Sequence, residues 1–378
     1  MRYERILEGE TVLWVPSPGP PRAGESSAFF NPVASLNRDV SVAISSVLGA
    51  RTFCDSMAGV GARGVRVANE VEETERVTLV DLNRESLRLA RRSAMFNGVL
   101  GKCDFVCGDT NEVLSREFKG DERQGSTDID PFGSPIRHVQ AGISATSDGG
   151  VLSLTATDTA VLCGVHQQVC RRRYGSRSLN NSFHHETAAR ILLNSTRRLA
   201  SSLDLGISPI VAHSTRHYIR VYVRVEVGIS KADSNLRSEG YVLFCTKCGD
   251  VRSAFEPSAS CAVCGGKNRV AGPLWIGDLV EPRLLSAATE SARKRGMQDA
   301  ARLLAAMRSV NSFPPWSFSI EEACSSLGIA TVPERSVRED LSRKGFRTLR
   351  QPFETVGLKT TGPYAEFVDS VRSAGKRG

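Results

Sequence analysis

The stretch Cys54-Asp55-Ser56-Met57-Ala58-Gly59-Val60-Gly61-Ala62-Arg63-Gly64 runs out of the apolar step Thr52-Phe53-Cys54 and into an amphipathic segment near Arg66. A G-x-G-x-x-G run placed after a strand and before a helix is a tight loop where missing side chains let a cofactor approach the backbone. Outward from it the same alternation repeats. Residues 77–80 predict a strand ending at Asp81, and residues 84–96 a helix. Residues 104–107 predict a strand closed by Gly108-Asp109, and residues 151–154 a further strand ending in Thr155-Ala156-Thr157-Asp158. Short apolar runs alternating with amphipathic ones make βαβ units and a doubly wound, Rossmann-like α/β sheet. Asp55, Asp81 and Asp109 then stand at successive strand ends, facing one cleft at the carboxyl edge. A carboxylate there accepts from both hydroxyls of a ribose, so Gly59, Gly61, Gly64 and Asp81 do not choose between a nicotinamide cofactor and another nucleoside.

The choice comes from Asp128-Ile129-Asp130-Pro131-Phe132-Gly133-Ser134-Pro135, where the fourth strand ends. An amine conjugated with a ring is a weak nucleophile because its lone pair is delocalised. It needs acceptors that hold its hydrogens and turn the lone pair toward an electrophile. The Asp130 carboxylate and the Pro131 carbonyl are acceptors of that kind, and Phe132 is a face for stacking the base. Positioning of this sort supplies much of the barrier reduction in a direct displacement. The motif points to methyl transfer onto an amino nitrogen.

A second constellation is Cys245-x-x-Cys248, twelve residues, then Cys261-x-x-Cys264, with Lys247 and Gly249 as knuckle residues. Four thiolates on two knuckles form a closed tetrahedral site, so the expected ion is a structural Zn2+. The other six cysteines, Cys54, Cys103, Cys107, Cys163, Cys170 and Cys324, lie mostly in apolar surroundings and are expected as buried small hydrophobes. His184 and His185 are expected to pack or cap, without a further role.

The 378 residues allow two or three domains, and 40% hydrophobic content excludes a disordered chain. No apolar run reaches the roughly 18 residues of a membrane span, and the first residues lack a signal-peptide core. The expectation is a cytoplasmic protein with no membrane contact and no obligate protein partner. Ten cysteines in such a chain read as thiols and a metal site rather than disulfides. The net charge of +8 is unevenly spread: residues 1–158 carry 17 basic and 22 acidic side chains, residues 165–224 ten and two, and residues 281–378 sixteen and eleven. Within the basic blocks, Arg171, Arg172 and Arg173 beside Tyr174 suit phosphate contact with stacking, as do Arg343, Lys344 and Arg347 near the end. Residues 119–126 are expected as a loop, residues 218–227 as a half-buried strand and residues 280–309 as helical. After a linker at residues 313–315, helices at 320–327 and 334–344 and an extended 345–359 resemble a winged helix.

Taken together, the chain resembles the archaeal and eukaryotic tRNA (guanine(26)-N(2))-dimethyltransferases. The resemblance is carried by Phe29-Phe30-Asn31-Pro32 with Leu36-Asn37-Arg38-Asp39, the glycine loop, Asp130 to Pro135, Thr155 to Asp158 with Leu162-Cys163-Gly164, His185-Glu186, Gly272 to Gly277, and Thr361-Gly362-Pro363-Tyr364. It implies a class I S-adenosylmethionine-dependent fold, with S-adenosyl-L-methionine as cofactor and tRNA as partner. It implies a catalytic domain over residues 1–235, including an extension at 1–50, and an RNA-binding domain over residues 236–378 with the zinc knuckle. Arg38, Arg63, Asp81, Asp109 and Thr110 would line the cofactor site, Asp130 would be the catalytic acceptor, and Phe29 and Phe132 would sandwich the guanine. The sequence departs from the family's apolar fourth strand at Gly125-Ser126-Thr127-Asp128-Ile129, so a less regular strand is expected. Two other readings are an amino-methyltransferase acting on another RNA or DNA site, and a non-catalytic zinc-ribbon RNA-binding protein.

Overall fold

The structure, a computed structural model, describes residues 3–17, 28–354 and 356–376. An antiparallel hairpin, β1 (Tyr3–Glu8) and β2 (Thr11–Pro16), comes first. Helix α1 (Ser35–Leu48) leads into β3 (Thr52–Asp55), α2 (Ala62–Glu70), β4 (Arg76–Asp81), α3 (Arg84–Phe96) and β5 (Cys103–Cys107). The sheet continues through α4 (Thr110–Glu117), β6 (Gln124–Ile129), α5 (Ile136–Ala145) and β7 (Thr146–Ala156). Helices α6 (Thr159–Leu162), α7 (Gln167–Tyr174) and α8 (His184–Ser201) then cross to the long hairpin β8 (Leu205–Thr215) and β9 (Tyr218–Val227).

These strands form one seven-stranded sheet in the order β5-β4-β3-β6-β7-β9-β8. Strands β3 to β7 pair in parallel, while β9 runs antiparallel to both β7 and β8. The order reverses at β3, which lies between β4 and β6, so the crevice that binds ligands in such sheets opens above β3. Helices α1, α2 and α3 pack together on one side, and α4, α5 and α8 on the other.

After α9 (Ile229–Leu236), a small antiparallel sheet forms from β10 (Glu239–Cys245), β11 (Val251–Ala254) and β12 (Asn268–Trp275). Helices α10 (Pro282–Lys294) and α11 (Gln298–Met307) return to the main sheet and pack on α1, where the Ser46 and Ser291 hydroxyls share a 2.6 Å hydrogen bond. The chain closes with α12 (Ile320–Leu327), α13 (Glu334–Arg343), the hairpin β13 (Thr348–Arg350) and β14 (Leu358–Thr360), and α14 (Tyr364–Gly375).

Residues 124–126 belong to a strand rather than a loop, and β6 is irregular, its register with β7 shifting between Gln124 and Ser126. Its polar groups at the centre of the sheet are largely partnered. Thr127 accepts from Thr146 at 2.9 Å, and Gly125 N–H donates to Thr52 at 2.8 Å. Strand β9 is buried on both faces over most of its length, since Tyr218, Arg220 and Tyr222 face a covered side as Val221, Val223 and Val225 do. The helical stretch at 280–309 breaks in two around Gly296, and helix α14 has no counterpart in the sequence reading. Of the six cysteines outside the paired motifs, Cys107 is exposed and the other five are buried.

Gly61 shows why the loop needs glycine. It caps α2 in the left-handed region at φ 75°, and a Cβ there would lie 2.5 Å from Ala90 Cβ and 2.9 Å from Leu79 Cδ2. The glycine lets α2 close against α3 and β4. Gly61→Ala is expected to cost about 2–4 kcal/mol from backbone strain and overpacking. Chemical denaturation measures this, and an unchanged midpoint would refute the close approach.

Candidate active site

The glycine loop rises from β3 over the crevice and is pinned on both sides. Ser56 N–H donates to the Asp128 carbonyl at 3.0 Å and Ala58 N–H to the Val80 carbonyl at 2.9 Å. At the end of β4, the two Asp81 oxygens each accept one backbone N–H, from Gly59 and Asn83, both at 2.8 Å. Each oxygen keeps acceptor capacity beyond that. Asp109 caps α4 by accepting from Asn111 and Glu112, and the Thr110 hydroxyl donates to the Ser56 carbonyl at 2.6 Å. Asp55 lies beneath the loop and accepts from Gly64 N–H at 2.9 Å. Burial raises the Asp55 carboxyl, Arg63 opposes it, and the charges of Asp128 and Asp130 help carry it to about 7.

This edge suits S-adenosylmethionine. That cofactor offers hydrogen-bond donors, namely ribose hydroxyls, an adenine amine and an ammonium, around a sulfonium cation. Carboxylates accept from such donors and favour the cation. The N–H of Gly61, the glycine where a dinucleotide pyrophosphate would approach the backbone, is already given to the Ala58 carbonyl at 2.8 Å. The residues fit the sulfonium cofactor and do not fit a pyrophosphate.

Beside the crevice, Asp130-Pro131-Phe132-Gly133 leaves β6 as a tight turn. The segment after β7 holds it. Gly133 N–H donates to the Thr157 hydroxyl at 2.7 Å, and Thr157 N–H donates back to the Gly133 carbonyl at 2.9 Å. Tyr174 OH donates to Asp158 at 2.7 Å and meets the Ser134 hydroxyl at 2.6 Å.

Below the turn runs a buried ladder of charges. Arg63 binds Asp130 with one terminal nitrogen and Asp128 with the other, and Arg220 binds the second oxygen of Asp128. Asp128 is 1% exposed and Arg220 fully buried. Arg220 also donates to Thr155, to Tyr222 OH at 2.9 Å and to Ser41 at 3.1 Å, and Arg63 donates to Asn37 Oδ1 at 3.2 Å. The Asp130 side chain is 27% exposed, so the ladder ends in a carboxylate facing the cleft. Burial would raise this carboxyl, but Arg63 and Arg220, with hydrogen bonds from Arg63 and Thr155, outweigh burial and hold it below its ordinary value. Asp130 is thereby an ionised acceptor in a fixed orientation.

Phe29 and Phe132 come together at the same mouth, 52% and 79% exposed, with ring centroids 4.8 Å apart at an interplanar angle of 76°. This is an edge-to-face contact, so a base entering between them must part the rings. Arg38 is held by the N-terminal hairpin. Its guanidinium is clamped by Glu8 at 2.6 and 2.5 Å and donates to the Asn31 carbonyl at 3.1 Å, which fixes the loop carrying Phe29. Glu8 also pairs with fully buried Arg66 at 2.9 Å, and so latches the N-terminal hairpin to α1 and α2.

The four motif cysteines converge where two knuckles leave the small sheet. Cys245 and Cys264 sulfurs are 3.6 Å apart, and Cys248 and Cys261 sulfurs 3.7 Å. Those spacings match the ~3.8 Å edge of a tetrahedron built on Zn–S bonds of ~2.3 Å, so the residues fit Zn2+. Gly249 and Gly265 close the two knuckles, donating to the carbonyls of Cys245 and Cys261.

Among the basic residues, Arg171 and Arg172 are exposed on α7 and make no ion pair among the described residues, while Arg173 meets Asp158 at 3.1 Å. Arg190, Arg197 and Arg220 from the same block are internal, paired with Glu186, Glu239 and Asp128. In the last unit, Lys344 is held by Asp369, Glu366 and Asp340 at 2.6, 3.1 and 3.6 Å, and Arg343 meets Asp340 at 2.7 Å. Arg347 lies over the Phe313 ring, 5.7 Å from its centroid. Lys359 of the hairpin is buried against Glu186 at 2.6 Å.

Sequence reasoning assigned no role to Asp128, Arg220, Asn37 or Tyr222. The signal for Arg220 was present, an arginine in a strand of valines, but its partner lies 92 residues away.

The chain matches the family described as N2,N2-dimethylguanosine tRNA methyltransferase over residues 21–372. It is 33% identical to the tRNA (guanine(26)-N(2))-dimethyltransferase of Methanopyrus kandleri, covering 98% of this chain and 97% of that one. It is 32% identical to the enzyme of the same name from Methanosarcina mazei, covering 96% of each. Its fold is similar to that of Trm1 from Pyrococcus horikoshii in complex with S-adenosyl-L-methionine, with a TM-score of 0.86, 27% identity, and coverage of 97% and 99% of the two chains.

Asp128→Asn leaves two buried guanidiniums facing a single carboxylate. It is expected to lower stability by about 3–5 kcal/mol, measurable by urea denaturation. A loss below about 1 kcal/mol would show that the ladder is not what holds this edge together.

Proposed function

Because the chain belongs to the N2,N2-dimethylguanosine tRNA methyltransferase family, we propose that it transfers methyl groups from S-adenosylmethionine to the exocyclic N2 of guanine 26 in tRNA, giving the monomethyl and then the dimethyl base. The cofactor supplies an electrophilic methyl on a sulfonium. The observation that carries the site assignment is the Asp130 carboxylate, ionised and oriented by Arg63 between the acid-lined crevice and the exposed Phe29 and Phe132.

The target guanine must leave its stack to reach this mouth, and the two rings part to receive it between their faces. Asp130 and the Pro131 carbonyl then accept the two N2 hydrogens. That contact rotates the amine out of conjugation and aims its lone pair at the crevice. Asp130 stabilises the positive charge that develops on N2 as the new bond forms and accepts the proton that N2 then sheds, which passes to solvent before the second transfer. Arg63, Asp128 and Arg220 are positioning residues, since they act on the base only through Asp130. Asp81 would take the ribose hydroxyls, and Asp109, Thr110, Asp55, Gly59 and Gly61 would line the rest of the cofactor site. Arg38 serves by fixing the Phe29 loop.

For the tRNA body, exposed Arg171 and Arg172 with Arg173, and Arg343 with Arg347, supply phosphate contacts. The four-cysteine ribbon holds the surface between them, since Arg177 backbone groups exchange hydrogen bonds with Gly272 of β12 at 2.9 and 2.8 Å. The catalytic part spans residues 1–235, and residues 236–378 carry the ribbon and the winged-helix-like end. Among the described residues no helix is long and apolar enough to cross a membrane.

Asp130→Asn is expected to reduce transfer at least about a hundredfold. Binding of S-adenosylmethionine, followed by calorimetry, should change less than about threefold. Nucleoside mass spectrometry of tRNA incubated with enzyme and labelled cofactor reads the base, the number of methyl groups and the position. Full activity in Asp130→Asn would remove the residue from the reaction, and label on any other base would overturn the substrate assignment.

Arg171→Ala with Arg172→Ala is expected to weaken tRNA binding and to make the slope of log affinity against log salt shallower by about 1–2. An unchanged slope would take α7 off the RNA surface.

A further inference from the structure

Cys163, His184 and His185 take no part in the acceptor turn or the four-cysteine ribbon, yet one ligand atom from each lies within 4.8 Å of the others. The fold brings them together by a close backbone crossing. Helix α6 ends at Cys163, whose N–H donates to the Thr159 carbonyl at 2.7 Å, and Gly164 then turns at φ 94°. A Cβ on Gly164 would stand 2.3 Å from Asn180 N and 2.4 Å from the Leu179 carbonyl carbon, so this turn lies directly on the segment that leads into α8. Ser178 ties the same two segments by donating to the Val161 carbonyl at 3.0 Å. The two histidines begin α8, with ring centroids 4.2 Å apart.

Each imidazole is oriented through one nitrogen. His184 Nδ1 is in hydrogen-bond contact with the Asn181 carbonyl, and His185 Nδ1 with Glu354 Oε2 at 2.6 Å. Glu354 also accepts from His185 N–H at 2.9 Å. A carbonyl can only accept, so His184 Nδ1 carries the proton. A carboxylate places the proton of His185 likewise. Among the described residues, both Nε2 lone pairs are then left for another partner. Metal-binding histidines show this pattern, one nitrogen donating to a carbonyl or carboxylate and the other turned to the ion.

We propose that Cys163, His184 and His185 form a second transition-metal site of the zinc class, separate from the four-cysteine ribbon and orientated by Glu354 and the Asn181 carbonyl. One thiolate and two imidazoles suit Zn2+ and discriminate against Mg2+ and Ca2+. The charges balance, because the Cys163 thiolate and the Glu354 carboxylate together match a divalent ion. Binding releases the Cys163 thiol proton to solvent and leaves both histidines neutral. Cys163 follows the Thr155 to Asp158 segment that braces the acceptor turn, α8 carries the histidines, and Glu354 lies in the hairpin region of the last unit. An ion there would clasp that unit to the catalytic sheet.

The test is metal content by mass spectrometry on full-length protein purified with zinc and dialysed against metal-free buffer. The wild type should hold about two zinc ions per chain. Cys163→Ser and His185→Gln should each hold about one, as should Cys245→Ser with Cys248→Ser. Because Cys163→Ser is nearly isosteric, circular dichroism should show its fold retained. As a second readout, Co2+ added to the variant lacking Cys245 and Cys248 should give a thiolate charge-transfer band that disappears when Cys163→Ser is added. A wild-type content of one or less, or a content unchanged in Cys163→Ser, overturns the proposal. Neither result bears on the methyl-transfer assignment, which is read from the RNA product.

Discussion

The structure depends on a charge balance below the carboxyl edge of the sheet. Two guanidiniums, Arg63 and Arg220, are shut away from water with two carboxylates, Asp128 and Asp130. Arg cannot give up its proton in a protein, so both acids must stay ionised for the cluster to be neutral. Asp130, the carboxylate that faces the cleft, is therefore one of four members of a neutral set, and its charge is a condition of the fold. Asp55 stands just outside the balanced four, and burial moves its carboxyl up toward neutrality against Arg63, while Arg63 and Arg220 together hold that of Asp130 down against burial. Each member also comes from a different part of the chain, from α2, β6, the acceptor turn and β9. The balance thus closes only when the parallel half and the antiparallel hairpin of the sheet have both formed.

Much of this was legible in the sequence where periodicity or a fixed spacing carried it. The βαβ alternation, the glycine loop, the acids at strand ends, the Asp-Pro-Phe-Gly turn and the paired cysteines are local patterns. The helix at Arg84 to Phe96 and the strand at Tyr218 to Val227 fell at the bounds expected. What escaped was long-range pairing. Strand β6 is polar, and only its neighbours β3 and β7 make it a strand. Arg220 looked like the wet side of a half-buried strand because nothing near it in sequence announces Asp128. Asp109 shows a different limit, since spacing reveals only that it sits at a strand end, and its capping of α4 shows only in the fold.

The basic blocks teach a related lesson. Summed along the sequence, residues 165–224 look like one positive surface. Folded, the block divides into arginines that hold the interior together, such as Arg190 and Arg197, and a short exposed run on α7. The last unit behaves in the same way. Lys344 is caged by acids and Lys359 is buried at the foot of the hairpin, where burial pushes its pKa down to about 8 against the attraction of Glu186. Net charge therefore overstates the exposed basic surface, because several of the counted side chains are internal or caged by acids.

The contact between Phe29 and Phe132 bears on what kind of molecule gains entry. An edge-to-face pair is worth about 0.5–1.5 kcal/mol, and it must open before a base can insert. A free nucleoside has only its own stacking to set against that loss. A nucleotide embedded in a large RNA arrives with phosphate contacts made elsewhere, and those contacts hold it at the mouth while the rings separate. The resting aromatic contact is therefore a threshold of that size at the mouth, set by two rings that read no base. On the proposed reading, that threshold favours a guanine that is part of a large RNA over a free one.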